Sequence, residues 1–199
     1  MNPPVPPLRM RKDDHEQNLM RKVAQGNRAA FEELYCDYHR RLGRFLARLT
    51  RNGELVEEVV NDTFWIVWRK AGEFHGTSQV STWIFGIAYR CTLKSLRQIE
   101  GDRRLEPLSM RDDYASAEEP LAAREERSDW LGHGLRLLPA EQRVTLELAY
   151  YIGHSIEEIS AIMDCPVGTV KARMFHARVK LRNLLPALGG MDQGHESTG

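Results

Sequence analysis

Between Pro166 and Met191 the charged residues are Lys171, Arg173, Arg178, Lys180 and Arg182, and no Asp or Glu interrupts them. Cations gathered on one short stretch have two uses: they hold phosphate as point charges, and they pair with the acceptor edge of guanine. Groups that make or break bonds are harder to find. There is no H-E-x-x-H, no Gly-rich phosphate loop and no combination of nucleophile, base and orienting acid. Cys36, Cys91 and Cys165 are widely spaced, odd in number and outside any C-x-x-C. They read as reduced thiols filling core or surface in a cytoplasmic protein. The expectation is a binding protein without enzymatic activity, cofactor, metal or small-molecule substrate.

The basic stretch is placed by what precedes it. Ser155-Ile-Glu-Glu158 has the pattern of a capping box, with Ile156, Ile159 and Ile162 turned inward on the short helix it starts. Asp164-Cys165 makes a turn, and Pro166 suits the first position of the next helix. There Val167, Val170, Met174, Ala177 and Leu181 step by three or four residues along one face. Two short helices joined by a tight turn, the second basic, form a helix-turn-helix pattern. The face left open carries Thr169, Lys171, Ala172, Arg173, Phe175, His176 and Arg178. Lys171 and Arg173 suit guanine or phosphate, and Thr169 lies where helix N–H groups favour phosphate. Two alternatives stay open: a solvated basic helix end, and a core position for Phe175. His176 has no partner at ligand spacing.

Further back, Phe31, Leu34, Tyr38, Leu42, Phe45 and Leu49 form one helical stripe, and Asn52-Gly53 breaks it. Leu55, Val59, Val60, Phe64, Val67 and Trp68 form a second, with Glu54, Glu57 and Glu58 at its start and Arg69 and Lys70 at its end, as the helix dipole favours. A loop from Phe74 to Val80 leads to a third run with Trp83, Ile84, Ile87, Ala88 and Cys91, ending near Arg97. No segment alternates with strand period. The fold class expected is all-α, two small helical domains at 18–98 and 128–188 joined by an acidic flexible linker at 99–127. A Pro-rich disordered tail at 1–17 and a polar tail at 189–199 complete the chain. A linker of that length is too long for a loop inside one compact domain.

Lys+Arg and Asp+Glu both total 28, which excludes a protein that coats nucleic acid by bulk charge. The zero is a cancellation between the acidic middle and the basic C-terminal helix. No run approaches the roughly 18 apolar residues of a membrane span, and no apolar signal-peptide stretch follows Met1.

The segment LPAEQRVTLELAYYIGHSIEEISAIMDCPVGTVKARMFHARVKLR resembles the promoter-reading domain of extracytoplasmic-function sigma factors. The matching residues are Leu138, Pro139, Arg143, Gly153, Ser155, Glu158, Ile159, Pro166, Gly168, Thr169, Val170, Arg173, Ala177, Arg178, Leu181 and Arg182. Ser160, Ala172 and His176 depart from the usual Ala, Ser and Arg. The N-terminal half is similar to the same family independently: Gly26, Ala30, Phe31, Leu34 and Tyr35, then Asp62 and Phe64, Phe74 and Gly76, Thr82 and Trp83, Ile87 and Ala88. Arg97 agrees with the pattern, whereas Arg90 and Lys94 stand where Asn and Asp are usual. Both departures add positive charge on a surface that the resemblance places at DNA.

The resemblance implies a sigma factor of the sigma-70 family, group IV, that binds core RNA polymerase and directs promoter recognition and melting in a stress or envelope response. Glu58, Asp62, Trp65, Trp68 and Arg69 would meet a basic coiled coil of the polymerase clamp. Phe74, His75, Ser78, Gln79, Ser81, Thr82 and Trp83 would capture an unstacked base of the downstream element, with Arg90, Lys94 and Arg97 beside it. Trp83 suits a core position equally well, and the acids of the second helix suit ordinary dipole-favoured charge. The helix-turn-helix would read the upstream element as duplex. The acidic linker would mimic nucleic acid in the polymerase's RNA exit path, or serve as a solvated spacer. An anti-sigma protein is the implied regulator. The rival functions are a helix-turn-helix regulator acting without polymerase and a helical enzyme. The first requires a ligand or phospho-acceptor domain in front, the second a convergent catalytic set.

Overall fold

The computed structural model describes residues 8–50, 52–105, 134–135 and 137–189. Among them every regular element is helical, as the sequence pattern predicts. Helix α1 spans Leu8–Ala24, α2 Arg28–Ala47, α3 Gly53–Lys70 and α4 Val80–Leu105, with a 3-10 turn at Ala71–Glu73. The C-terminal unit has α5 at Ala140–Glu147, extended by a wide turn through Leu148–Ile152, then α6 at Ile156–Met163 and α7 at Val167–Gly189.

Helix starts follow local chemistry. The Asn27 side chain accepts from Ala30 N–H and opens α2; Asn52 accepts from Leu55 N–H and opens α3. Asn52-Gly53 is therefore the beginning of α3 as much as the end of what precedes it. The Ser155 box is formed in both directions, Ser155 N–H donating to Glu158 at 2.6 Å and Glu158 N–H donating to Ser155 Oγ at 3.2 Å. Gly153, at φ 84°, supplies the left-handed residue that ends the preceding turn, and Asp164, at φ 49°, does the same between α6 and α7. Pro166 lies just before α7, not within it; its carbonyl accepts from Thr169 and Val170.

Three boundaries differ from the sequence reading. Residues 8–17, expected in a disordered tail, form the first half of α1, and Glu16 is buried where Tyr38 Oη donates to its carboxylate at 2.7 Å. Leu19, Met20 and Val23 continue that helix into the core. The upstream prolines mask this pattern, because they lower the helical average of the whole segment. At the other end of the N-terminal unit, α4 continues past Arg97 to Leu105, so residues 99–105 are helix and not linker. The rest of the expected linker up to residue 127, and Trp130 and Leu131 beyond it, lie outside the described residues.

The third difference is the relation of the two units. They do not stand apart: α4 packs against α6, and one apolar core runs through both. Leu34, Tyr38, Phe45, Val60 and Phe85 meet within it, and Val144, Leu148, Ile159, Ile162 and Met174 of the C-terminal unit join them. A separate small core of Leu135, Leu138, Leu146 and Ala177 belongs to the C-terminal unit alone. Its private core is thus too small to absorb its apolar faces, and α4 covers the remainder.

Replacing the α6 cap tests this assembly locally. Ser155→Ala is expected to lower unfolding stability by about 1 kcal/mol, read as a lower urea midpoint at unchanged denaturant slope. An unchanged midpoint removes the cap from the stability of the unit.

Candidate nucleic-acid and polymerase interfaces

Three exposed faces carry the residues singled out by sequence. The first is the outer face of α3. Leu55, Val59, Val60, Phe64 and Val67 are buried, which turns Glu58, Asp62, Trp65 and Arg69 to solvent. Trp65 is 61% exposed, unusual for an indole with nothing to cover it, and Arg69 lies over its ring at 5.8 Å. Trp68 behaves differently: it is half-buried and packs edge-on against Phe31 at 5.1 Å. Of the two tryptophans, only Trp65 is free to anchor a partner.

The second face is the loop before α4. His75, Gly76 and Thr77 are exposed, while Ser78 and Gln79 are half-buried. Gly76, at φ 71°, takes the left-handed turn that lets the loop fold back. Phe74 and Trp83 pair at 5.6 Å, both half-buried, so Trp83 serves core and wall at once. Ser81 and Thr82 are buried in the first turn of α4; Ser81 Oγ donates to Gln79 Oε1 at 3.4 Å, and Thr82 Oγ1 has no hydrogen-bond partner among the described residues. A buried hydroxyl without a partner is costly, and a polar ligand would satisfy it. The first turn of α4 carries no acid, so its N–H groups keep their full attraction for phosphate. Arg90, Lys94 and Arg97 are exposed further along α4.

The third face belongs to α7. Val170, Met174 and Ala177 are buried, and Lys171, Ala172, Phe175, His176 and Arg178 are exposed, with Thr169 half-buried. Phe175 is 62% exposed and stacks edge-on with His176 at 5.5 Å, so it is not a core residue. Arg173 departs from the expectation that groups it with the open face. Its guanidinium donates to Glu141 of α5 and to Cys165 Sγ at 3.3 Å, which pulls the side chain into the seam behind the helix-turn-helix. With two of its five N–H donors so engaged, a base contact by Arg173 would compete with the α5 ion pair. Arg178 donates to Tyr150 Oη at 2.6 Å and stays at the surface.

Sequence reasoning missed the partners of these cations. Glu141 and Tyr150 lie on α5 and its extension, far from α7 in sequence. It also missed the contact between units: Arg48 meets Glu147 at 3.2 Å and lies over the Tyr151 ring at 3.5 Å, while Arg143 donates to the Leu49 carbonyl at 3.5 Å. Burial pushes the Glu147 carboxyl above its ordinary range, with Arg48 opposing. For Arg48, burial works against the charge, but Tyr151 and Glu147 outweigh it and the guanidinium is held more firmly charged. One signal was available, since Glu147 interrupts the apolar run Val144 to Ala149. Among the described residues there is no cluster suited to hold a metal ion, and no helix is long and apolar enough to cross a membrane.

Residues 34–101 match the sigma-70 region 2 family, and residues 128–181 match sigma-70 region 4. The chain is 32% identical over 187 residues to the ECF RNA polymerase sigma-E factor of Escherichia coli K12, covering 87% of this chain and 95% of that protein. It is 27% identical over 192 residues to RNA polymerase sigma-H factor of Pseudomonas aeruginosa, covering 88% and 96%. Among solved structures it resembles the sigma factor RpoE of Bartonella quintana, crystallised with the anti-sigma factor NepR, at 26% identity and TM-score 0.63 over 78% of this chain and 96% of that one. CnrH, solved with the cytosolic domain of CnrY, shares the fold at 23% identity and TM-score 0.65 over 87% and 98%. The two region matches stand in family order, and sigma-70 region 2, not a ligand-sensing or phospho-acceptor pattern, is what matches the residues ahead of the helix-turn-helix. The chain belongs to the extracytoplasmic-function sigma factors and acts in transcription initiation.

Proposed function

We propose that this sigma factor works in the cytoplasm as a dissociable specificity subunit, with α3 on core polymerase, α7 on the upstream promoter element and the 74–82 loop on the melted downstream element. The observation that carries this reading is the exposure of three chemically distinct faces on one scaffold. The α3 face pairs acids with a bare indole, which suits a basic protein surface. The α7 face pairs cations with an aromatic ring, which suits a groove with its phosphates. The loop offers half-buried polar groups, a Phe–Trp wall and a helix N-terminus, which suit a single unstacked base with its phosphate. None of the three contains a bond-making set. The polymerase performs the chemistry, and this chain supplies position and sequence choice. An anti-sigma protein is the regulator this reading expects, as for the RpoE–NepR pair.

Within α7 the roles divide. Lys171, Phe175, His176 and Arg178 face outward and are the readers, whereas Arg173 fixes α7 against α5 and the turn. The acids Glu58 and Asp62 make the α3 face specific for a basic partner. Arg90, exposed on α4, contributes a charge that is always present and five donors.

Four variants test the assignment. Asp62→Arg is expected to weaken binding to core polymerase by about 1–3 kcal/mol while leaving the melting temperature unchanged, since Asp62 is exposed beside an intact apolar face; unchanged affinity excludes Asp62 from the interface. Lys171→Ala should reduce upstream-element binding without loss of stability. By contrast, Arg173→Ala should lower stability by about 1 kcal/mol and weaken all sequences equally; a shift in base preference at one position would restore Arg173 as a reader. Arg90→Asn should reduce open-complex formation at every promoter and flatten its salt dependence by about one counterion, measured on a randomised downstream element at two salt concentrations. A change at one position with the salt slope preserved would make Arg90 a base reader instead.

A further inference from the structure

Two tyrosines stand side by side on the wide turn that extends α5, and both are exposed, Tyr150 by 62% and Tyr151 by 53%. Buried Leu148 anchors this turn and Gly153, at φ 84°, ends it, so the segment is fixed although neither ring is covered. The two rings serve different helices. Tyr151 lies under the Arg48 guanidinium of α2 at 3.5 Å, and Arg48 also meets the Glu147 carboxylate, so the charge there is matched within the chain. Tyr150 takes Arg178 of α7, whose Nη2 donates to the phenol oxygen at 2.6 Å with the guanidinium 5.7 Å from the ring centroid. Among the described residues no carboxylate forms an ion pair with Arg178.

A neutral phenol orients a guanidinium without cancelling its charge. Accepting one N–H occupies one lone pair of the Tyr150 oxygen and leaves its O–H to donate, and Arg178 keeps its remaining N–H groups. The pair is thus a surface of adjacent donors with one net positive charge. It fits an anion that accepts through two oxygens, which describes a phosphodiester. A guanine edge also offers two acceptors, and position decides between them. Arg178 is exposed two turns beyond Lys171 on α7, with exposed Phe175 between them, a rise of roughly 10 Å. A recognition helix reaches bases with its N-terminal residues, and the major groove is about 12 Å wide. At Arg178 the helix has therefore crossed to the sugar–phosphate wall. Tyr150 arrives there from a different element, on the flank of α7.

We propose that Tyr150 is itself a DNA-contacting residue: with Arg178 it forms a two-donor clamp on one backbone phosphate of the upstream promoter element. Tyr150 also holds the Arg178 side chain in place before DNA arrives, which lowers the ordering cost of the contact. The proposal rests on the assignment of α7 to that element and narrows it. Lys171 and Phe175 lie over bases, and Arg178 with Tyr150 lies over the backbone.

The test uses holoenzyme assembled with the full chain, titrated onto promoter duplex at a temperature that keeps the DNA closed. In one set of duplexes the upstream element is randomised; in another each of its phosphates is replaced in turn by an uncharged methylphosphonate. Tyr150→Phe keeps the ring and removes only the hydroxyl, so the melting temperature of the chain should not change. Affinity is expected to fall about fivefold, equally for all upstream sequences, with the salt slope preserved because the phenol carries no charge. Arg178→Ala, by contrast, should flatten that slope by about one counterion. Neutralising one particular phosphate should weaken wild type more than Tyr150→Phe, and the other phosphates should affect both forms alike. Wild-type affinity in Tyr150→Phe overturns the clamp, and so does a loss with no phosphate at which the two forms differ. A shift of base preference at one position overturns it as well, by making the pair a base reader. Lys171→Ala separates the clamp from the reading beneath it. If Lys171→Ala weakens upstream binding and Tyr150→Phe does not, the clamp alone fails. If neither does, the α7 assignment fails and the clamp falls with it.

Discussion

Phe85 stands where the two halves of the molecule meet. It packs edge-on against Phe45 at 5.4 Å on one side and against His154 at 5.3 Å on the other, with Tyr38 at 6.5 Å and the Arg41 guanidinium at 5.7 Å. Full burial of an aromatic ring contributes about 1.5–3 kcal/mol, and here the same ring serves two units. Helix α4 is therefore a shared wall. One face completes the N-terminal bundle through Ile84, Ile87 and Cys91, and the Gly86 side receives α6. The N-terminus of this helix carries the loop proposed to take a base, and its exposed face carries Arg90, Lys94 and Arg97. A shift of α6 on α4 is consequently felt at the groups proposed to face DNA without transmission through any further element.

The contacts across the seam are of a kind that holds register more than it holds tightly. Glu147 is buried and recovers part of its desolvation from Arg48, which is itself partly exposed, and such a pair is weak net glue. What it penalises strongly is misalignment, since a displaced unit would leave Glu147 buried and uncompensated. The apolar part of the seam supplies affinity. Such an interface differs from the interior of α1–α4, where Tyr38 is locked to Glu16 and several aromatic rings interlock.

Much of this was legible in the residue pattern. The stripes of α2 and α3 are one-sided, so their period names the buried face directly, and Trp65 and Asp62 fall outside it. The helix-turn-helix was legible for a different reason: its cap, its turn and its basic face are all local, and Ser155, Asp164 and Lys171 each act within a few residues. Helix α4 was read in part only. Its buried set includes Phe85, Tyr89, Thr92 and Ser95 beyond the predicted stripe, because a helix covered on two sides loses the one-sided period that makes a face readable. Arg173 misled for the complementary reason. Periodicity placed it off the buried stripe, but an Arg side chain is long enough to reach Glu141 on another helix, and no local pattern encodes that.

The charge balance gains a spatial meaning from this arrangement. A zero total made of separated acids and cations keeps a DNA-binding chain from adhering to any duplex through bulk attraction. Where the opposed charges also face one another, the cancellation is local as well as global. Glu141 occupies Arg173 within the C-terminal unit, and Glu147 meets Arg48 between the units. Nucleic acid then meets a chain whose attractive groups are in part already matched, whereas a basic protein surface meets Glu58 and Asp62 exposed beside Trp65. With the faces assigned as proposed, electrostatics favours polymerase before promoter as the order of assembly. That order avoids trapping the free chain on non-promoter DNA, which offers far more sites than any promoter set.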